Sequence, residues 1–506
     1  MSKFRLLMTV VFASVILASC NDDFLDKRPT SFISNADLGE TALINPEIVE
    51  ANLRGIFNQM ITAGIGGTGS QEDFGWKSFD LMSDLLSSDL AQVGAAYNRF
   101  VGLANLVWTT DRTINLPNYT AWRFYYRIIN SANLIIDSNG GNDVVPTNPG
   151  VAGVLGQAKA MRAICYWYLT QYYQVEYNPT EEILPIYTEP GMPGQPKSPA
   201  SDVYDLIIKD FTDAISFLNG YQRPNKAFLN QNVAKGYLAY VYASMGGSAN
   251  NQKAIQLTKE VIDSGEFPMM SRDEVVLSGF NDLSTPGWMW GFDLTVANGA
   301  NLLSWAGFMC YYSYSYQAVG NYRGIDSDLY AQIDANDIRR HQFGAPGVPY
   351  DIREGAYPLI PVGKFYNENF VHFGQNPMTD DYVYMRVTEM YLLNAELNAV
   401  EGNTAAARTM LKAVLANRMA SPADYAYVDG LSGQALVDDI VFHERVEFLA
   451  EGKAYLLMKR RKLTKTRGAN HLNRAGESFA HNDPRLTFEI HQRELTDNPM
   501  ITDGNK

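Results

Sequence analysis

Cysteine is nearly missing from this chain: 506 residues carry three, Cys20, Cys165 and Cys310. So few thiols exclude a disulfide framework as the source of stability, and Cys165 reads as a small buried residue of a helix. Histidine is scarce too. The six, His341, His372, His443, His471, His481 and His491, show no zinc-like spacing. The formal charge is −14, which argues against nucleic acid or an anionic lipid surface as partner. Beyond the N-terminus no apolar run reaches the roughly 18 residues of a membrane span, so none is expected in the body. Catalytic motifs are missing as well: there is no nucleophile elbow, no glycine-rich phosphate loop and no His-Glu-x-x-His. Asp334-Ala-Asn336-Asp337 offers oxygen ligands without the frame of a calcium loop. No metal, cofactor or catalytic residue is expected.

What is present begins at the N-terminus. Lys3 and Arg5 precede an apolar segment from Leu6 to Leu17, of signal-peptide length and too short for a permanent span. Leu17-Ala18-Ser19-Cys20 resembles the bacterial lipobox, which makes residues 1–19 a signal peptide and Cys20 the lipidated first residue. Several acyl chains at about 0.8 kcal/mol per buried methylene make a durable anchor. Residues 20–40 read as a polar tether. Its Asn21-Asp22-Asp23 resembles the acidic signal that sends some Gram-negative lipoproteins to the outer cell surface.

Helical periodicity then dominates. Helices are predicted over 47–62, 121–137, 154–174 and 203–218, the last opened by Ser201-Asp202 as cap residues. Two later segments look like copies of one unit. Helix 233–245 closes on Gly246-Gly247 and is followed by helix 252–264. Helix 384–401 closes on Gly402 and is followed by helix 404–418. Small residues flank both turns (Ala239, Ala243 and Ala254; Ala395, Ala399 and Ala406), resembling tetratricopeptide pairs. A last helix is predicted over 435–458. The expected organisation is an N-terminal helical region 41–265, a loop-rich aromatic region 266–381 and a C-terminal helical region 382–506.

Aromatics are abundant: 30 Tyr, 24 Phe and 7 Trp. Residues 294–322 hold no charge, and Trp288, Trp290, Trp305, Tyr311 and Tyr314 lie in or beside that stretch. Tyr312-Ser-Tyr314-Ser-Tyr316 alternates with the period of a strand, which would line tyrosines on one face. Sugar rings stack on flat aromatic faces while a few polar groups bond their hydroxyls, so these five are candidate ligand contacts.

Several stretches, in order, resemble the SusD/RagB family of nutrient-binding lipoproteins. They are Tyr126-Arg-Ile-Ile-Asn130-Ser-Ala-Asn133, Arg162-Ala163-Ile-Cys-Tyr166-Trp-Tyr-Leu169 with Leu184-Pro185, and Val203-Tyr204 through Ala214. Asp337-Ile-Arg339, Arg386 through Ala395-Glu396, and Glu444-Arg445-Val-Glu447 through Glu451-Gly452 follow. Lys453 stands where the family more often has Arg. The resemblance implies a mostly α fold of tetratricopeptide-like pairs carrying a loop-rich, partly β binding region. It also implies an outer-membrane location facing the cell exterior and a SusC-type TonB-dependent transporter as partner, to which an oligosaccharide is delivered. The family's ligand face also draws on the loop after the first helix, here Gln71–Tyr97, adding Trp76, Asp80, Asp84 and Tyr97 as candidates. Peptide cargo, a lipid-anchored glycoside hydrolase and a protein-binding scaffold remain alternatives. Arg162, Glu389, Glu396, Glu444, Arg445 and Glu447 fall inside predicted helices and read as structural ion pairs.

Overall fold

The longest helix is the axis around which the others assemble. The computed structural model describes residues 46–343 and 359–505, so Cys20, the signal segment and the tether lie outside the described residues. Helices α1 (Pro46–Ile61), α2 (Trp76–Ser87) and α3 (Asn118–Ser138) lead to α4 (Pro149–Tyr173). Asn148 caps α4 by accepting from the Gly150 amide at 2.8 Å, with Pro149 in the first turn. Nearly every side chain of α4 from Val151 onward is buried, including Lys159 and Arg162, which are paired with Asp213 and Asp210. Among the described residues no helix is long and apolar enough to cross a membrane. On α3, Tyr125, Ile128, Ile129, Ala132, Ile135 and Ile136 face α4, and the helix stops before Gly140 and Gly141, at φ 104° and 90°.

Helix α5 (Ala200–Phe217) packs on the other side of α4. It starts three residues earlier than the pattern suggests: Ser201 and Asp202 sit inside the first turn and Pro199 occupies the cap position. Helices α6 (Gln231–Met245) and α7 (Ser248–Asp263) form one antiparallel pair, α8 (Val387–Val400) and α9 (Thr404–Leu415) another. Ala239, Ala243, Ala254, Ala395, Ala399 and Ala407 are buried at the close approaches, with Ala407 taking the place expected of Ala406. The two pairs pack together through α7 and α8. There the Asn394 amide donates to Ile255 O at 3.0 Å and Thr258 Oγ1 at 2.9 Å.

The C-terminal helix is two helices. α10 (Gly433–Glu447) and α11 (Ala454–Arg460) are separated by a turn with Ala450 and Gly452 at φ 60° and 77°. A side chain at Gly452 would meet Asp80 at 2.5 Å, so glycine is required there. The expected helix 384–401 likewise starts late, because Tyr384 and Arg386 belong to a strand.

Among the described residues the strands form antiparallel two-stranded ladders. β1 (Leu90–Gln92) pairs β5 (Arg323–Ile325), β2 (Glu182–Leu184) pairs β3 (Ser198–Pro199), and β4 (Trp288–Phe292) pairs β6 (Tyr382–Arg386). Tyr312–Tyr316 is not a strand; it makes a single bridge, Ser313 to Gln375. One apolar cluster runs from Leu53 to Ile501, and Cys165 and Cys310 are free thiols buried in the protein.

The ion-pair reading of the helical charges holds. Arg162 pairs with Asp210 at 2.7 Å, Lys453 with Glu389 at 3.2 Å, and Arg445 with Asp89 at 2.7 Å. Arg460 bridges Glu396 and Glu444 at 2.6 and 3.0 Å. Glu447 receives Arg386, Arg418 and Arg339 at 3.0, 2.8 and 3.3 Å, and these guanidiniums hold its carboxyl well below the usual range despite burial.

Candidate functional site

The four tryptophans expected as ligand contacts, Trp288, Trp290 and Trp305 from composition and Trp76 from the family resemblance, are core residues. Trp76 and Trp290 meet edge to face at 5.8 Å, Trp290 lies 4.7 Å from Tyr384, and its indole N–H donates to Ala227 O at 3.0 Å. Trp288 lies against Phe280, and Trp305 against Phe365 with the Lys77 ammonium 4.5 Å above its ring. All four indoles are closed off from solvent. The physical reason is size: such rings contribute most when wholly desolvated, and strand β4 runs through the core between β6 and the helices.

Asp80 and Asp84 are buried as well. Lys77 holds Asp80 at 2.8 Å, and Asp84 accepts from the Gly452 amide at 2.8 Å. Asp84 thereby fastens α2 to the turn between α10 and α11, while Asp80 is paired within α2 itself. Burial, with Asp80 alongside, pushes the Asp84 carboxyl up to about 8.

Tyr97, Tyr311 and Tyr314 behave differently: three separate segments bring them to one surface. The β1–β5 ladder continues outward as Val93 N to Tyr322 O at 2.9 Å and Ala96 N to Gly320 O at 3.2 Å. It thereby places the 96–98 turn beside 316–322. Tyr314 N donates to Gln375 O at 2.9 Å, which lays 370–375 alongside 312–314. A ring nitrogen of His372 lies 3.0 Å from Ala318 O and joins the two sides.

The rings then meet in pairs. Tyr97 lies 5.6 Å from Tyr316, Tyr311 stacks on His372 at 4.5 Å, Tyr314 and Phe373 lie tilted to each other at 4.5 Å, and Tyr312 meets Phe370 edge-on at 5.9 Å. Tyr97 is 66% exposed, Phe370 41%, Tyr314 38% and Phe373 38%, so an aromatic surface faces solvent. Tyr316, expected beside Tyr314 on one strand face, is buried beneath it.

Backbone strain marks the same surface. Tyr97, Asn98 and Phe100 have φ 63°, 54° and 59°, and Phe370 and Phe373 have φ 51° and 58°. The left-handed region disfavours bulky side chains at about 1–3 kcal/mol each, and such strain concentrates at ligand clamps. Sequence reasoning missed Phe370, His372 and Phe373, because neither the positive φ of the two phenylalanines nor the Gln375 contact that lays this loop beside 312–314 leaves a mark in sequence.

An aromatic–cation stack supports the face from below. Arg323 is wholly buried between Phe100 and Phe308, at 5.1 and 5.2 Å. Phe308 lies on Tyr316 at 5.0 Å, and Arg99 lies 5.0 Å from the Tyr316 ring while reaching Glu72 at 3.4 Å. Burial pushes the Arg323 guanidinium down to about 9; it bonds Phe308 O at 3.0 Å and Asn321 O at 3.1 Å. The arrangement presents pre-set flat rings with Asn98, Arg99 and Glu72 near the Tyr97–Tyr316 end. It can hold a ring-shaped polar ligand by stacking.

Comparison with known proteins gives a consistent result. Residues 23–243 match the family described as "Starch-binding associating with outer membrane", and residues 339–500 match the SusD family. A "SusD-like protein" of Bacteroides ovatus is 22% identical over 87% of this chain and 80% of its own length. "SusD-like protein P25" of Formosa agariphila is 22% identical over 37% of this chain, which spans only 32% of that relative. A solved SusD-like carbohydrate-binding protein from Bacteroides vulgatus superposes with TM-score 0.72 at 21% identity, covering 90% of this chain and 97% of the other.

Proposed function

Because the chain belongs to the SusD/RagB family, we propose that it captures an oligosaccharide at the cell surface on the face formed by Tyr97, Tyr311, Tyr314, Phe370 and Phe373. The observation that carries this reading is the solvent-facing set of aromatic rings, three of which, Tyr97, Phe370 and Phe373, stand on left-handed backbone. Pyranose rings present an apolar CH face to such rings, and their hydroxyls reach the polar groups at the edge. A pre-set face limits the ordering lost on binding. The family is one of binding proteins, and capture without catalysis fits the placement of Asp80 and Asp84, whose carboxylates are withdrawn into the core.

The lipobox-like Cys20 supports anchoring by lipid to the outer membrane, with the body facing the exterior. A SusC-type TonB-dependent transporter then receives the cargo. Affinity electrophoresis of the full chain through gels containing starch, xylan, pectin or mucin glycans tests the reading. Retardation lost in Tyr97→Ala and Tyr314→Ala supports it. Equal retardation of the variants, or retention of peptides alone, overturns it.

A further inference from the structure

A second groove lies away from the aromatic face, between α3, the 187–192 loop and the C-terminal helix Gln492–Asp497. Its volume is about 600 Å³, within the range of small-molecule sites. Trp122, Tyr126 and Tyr187 line it. Trp122 and Tyr126 lie 4.9 Å apart, and Tyr187 meets Tyr126 edge to face at 5.6 Å. These rings are fixed from behind: Tyr126 OH donates to Pro185 O at 2.8 Å and Asn133 Nδ2 to Tyr187 O at 3.0 Å.

The charges around these rings have no ion-pair partner among the described residues, although Arg123 packs against Gly67 on the side of Asp73. Arg123 and Arg127, one turn apart on α3, are exposed, as is Arg493 across the groove. Among the described residues none of the three has a carboxylate within ion-pairing distance. Arg123 and Arg127 make no side-chain hydrogen bond there, and Arg493 lies 4.9 Å from the Tyr119 ring. Glu189 and Asp497 on the same rim are likewise exposed and unpaired among the described residues, and Glu494 accepts from Asn498 at 3.1 Å and from the Trp122 indole without meeting a cation.

Guanidinium donors and carboxylate acceptors, kept apart around fixed rings, discriminate between ligand classes. An anion satisfies the arginines and is repelled by three carboxylates. A cation meets the reverse. An apolar ligand desolvates both at a penalty of several kcal/mol. A hydroxyl both donates and accepts, so a polyhydroxylated ring satisfies both signs while stacking on the floor. We infer that this groove is a second, independent carbohydrate-binding site, selective for neutral sugars.

The test is calorimetric titration of the full chain in detergent with cellohexaose, maltohexaose, xylohexaose and laminarihexaose. The expected result is a two-site isotherm with at least one hexaose. Arg127→Ala combined with Arg493→Ala weakens one site tenfold or more, and Tyr97→Ala combined with Tyr314→Ala removes only the other. Both arginines are exposed, so their removal leaves the melting temperature in place. Binding abolished by the arginine substitutions and untouched by the tyrosine ones upholds the groove and overturns the aromatic face. A single site indifferent to Arg127→Ala and Arg493→Ala, or no heat with any of the four hexaoses, overturns the groove.

Discussion

Arg162 on α4 grips Asp210 on α5 through two parallel hydrogen bonds, Nε to Oδ2 at 2.7 Å and Nη2 to Oδ1 at 2.8 Å. Its third nitrogen reaches Asn133 Oδ1 at 2.9 Å and Thr188 O at 3.1 Å. One side chain therefore ties three helices and the 187–192 loop together. Removing one partner leaves a buried charge uncompensated, a loss of about 3–5 kcal/mol. Asp210→Asn is expected to lower the denaturation midpoint steeply, whereas Asp143→Asn on an exposed neighbour leaves it unchanged.

Trp290→Ala empties a wholly buried position between Trp76 and Tyr384. A loss of about 3–5 kcal/mol of stability is expected from the missing contacts and the cavity. Chemical denaturation measures it. Trp290→Phe keeps most of the volume, so glycan retention by that variant should equal wild type at a temperature where both are folded. Loss of binding in the folded Trp290→Phe protein would restore the indole as a ligand contact.

Tyr314→Ala and Phe373→Ala act on the opposite side of that divide. Each is expected to weaken glycan binding about tenfold, or roughly 1.4 kcal/mol, with a melting temperature within a degree or two of wild type. Titration calorimetry alongside thermal unfolding reads both quantities.

Asp84 gives a pH dependence of definite sign. Its carboxyl is held up at about 8 by burial and by Asp80, against about 3.9 in an unfolded chain. Between those values the folded protein keeps a proton that the unfolded chain has lost. Its contribution to stability is fully present below about pH 4 and falls as pH rises through about 8. Asp84→Asn fixes the group neutral and keeps an oxygen for the Gly452 amide. The drop in urea midpoint between pH 5 and pH 8 should therefore be smaller in that variant than in wild type.

The helical frame was largely legible because amphipathic spacing, Gly246-Gly247 and Gly402 are local signals. The small residues Ala239 and Ala395 announced the close helix approaches for the same reason. The split at Ala450–Gly452 was not legible: its cause is Asp84, more than 360 positions away, accepting the Gly452 amide. The division of aromatics into floor and face was equally hidden. Trp290 and Tyr314 both belong to the same aromatic-rich region of the sequence. Only the pairing of β4 with β6 drives one inward, and only the Gln375 contact holds the other at the surface.

The aromatic face is assembled from three short stretches, around 97, 311–316 and 370–373, each sewn down by a few main-chain bonds. None of the long helices donates a ring to it. Such a division of labour permits each stretch to vary in length and composition independently, since main-chain attachments tolerate any side chain. Chains built on one scaffold can thus change what the face accepts by exchanging loops while inheriting an unchanged skeleton. Divergence within this lineage is expected to fall first on these three stretches and last on residues such as Arg162 and Glu447.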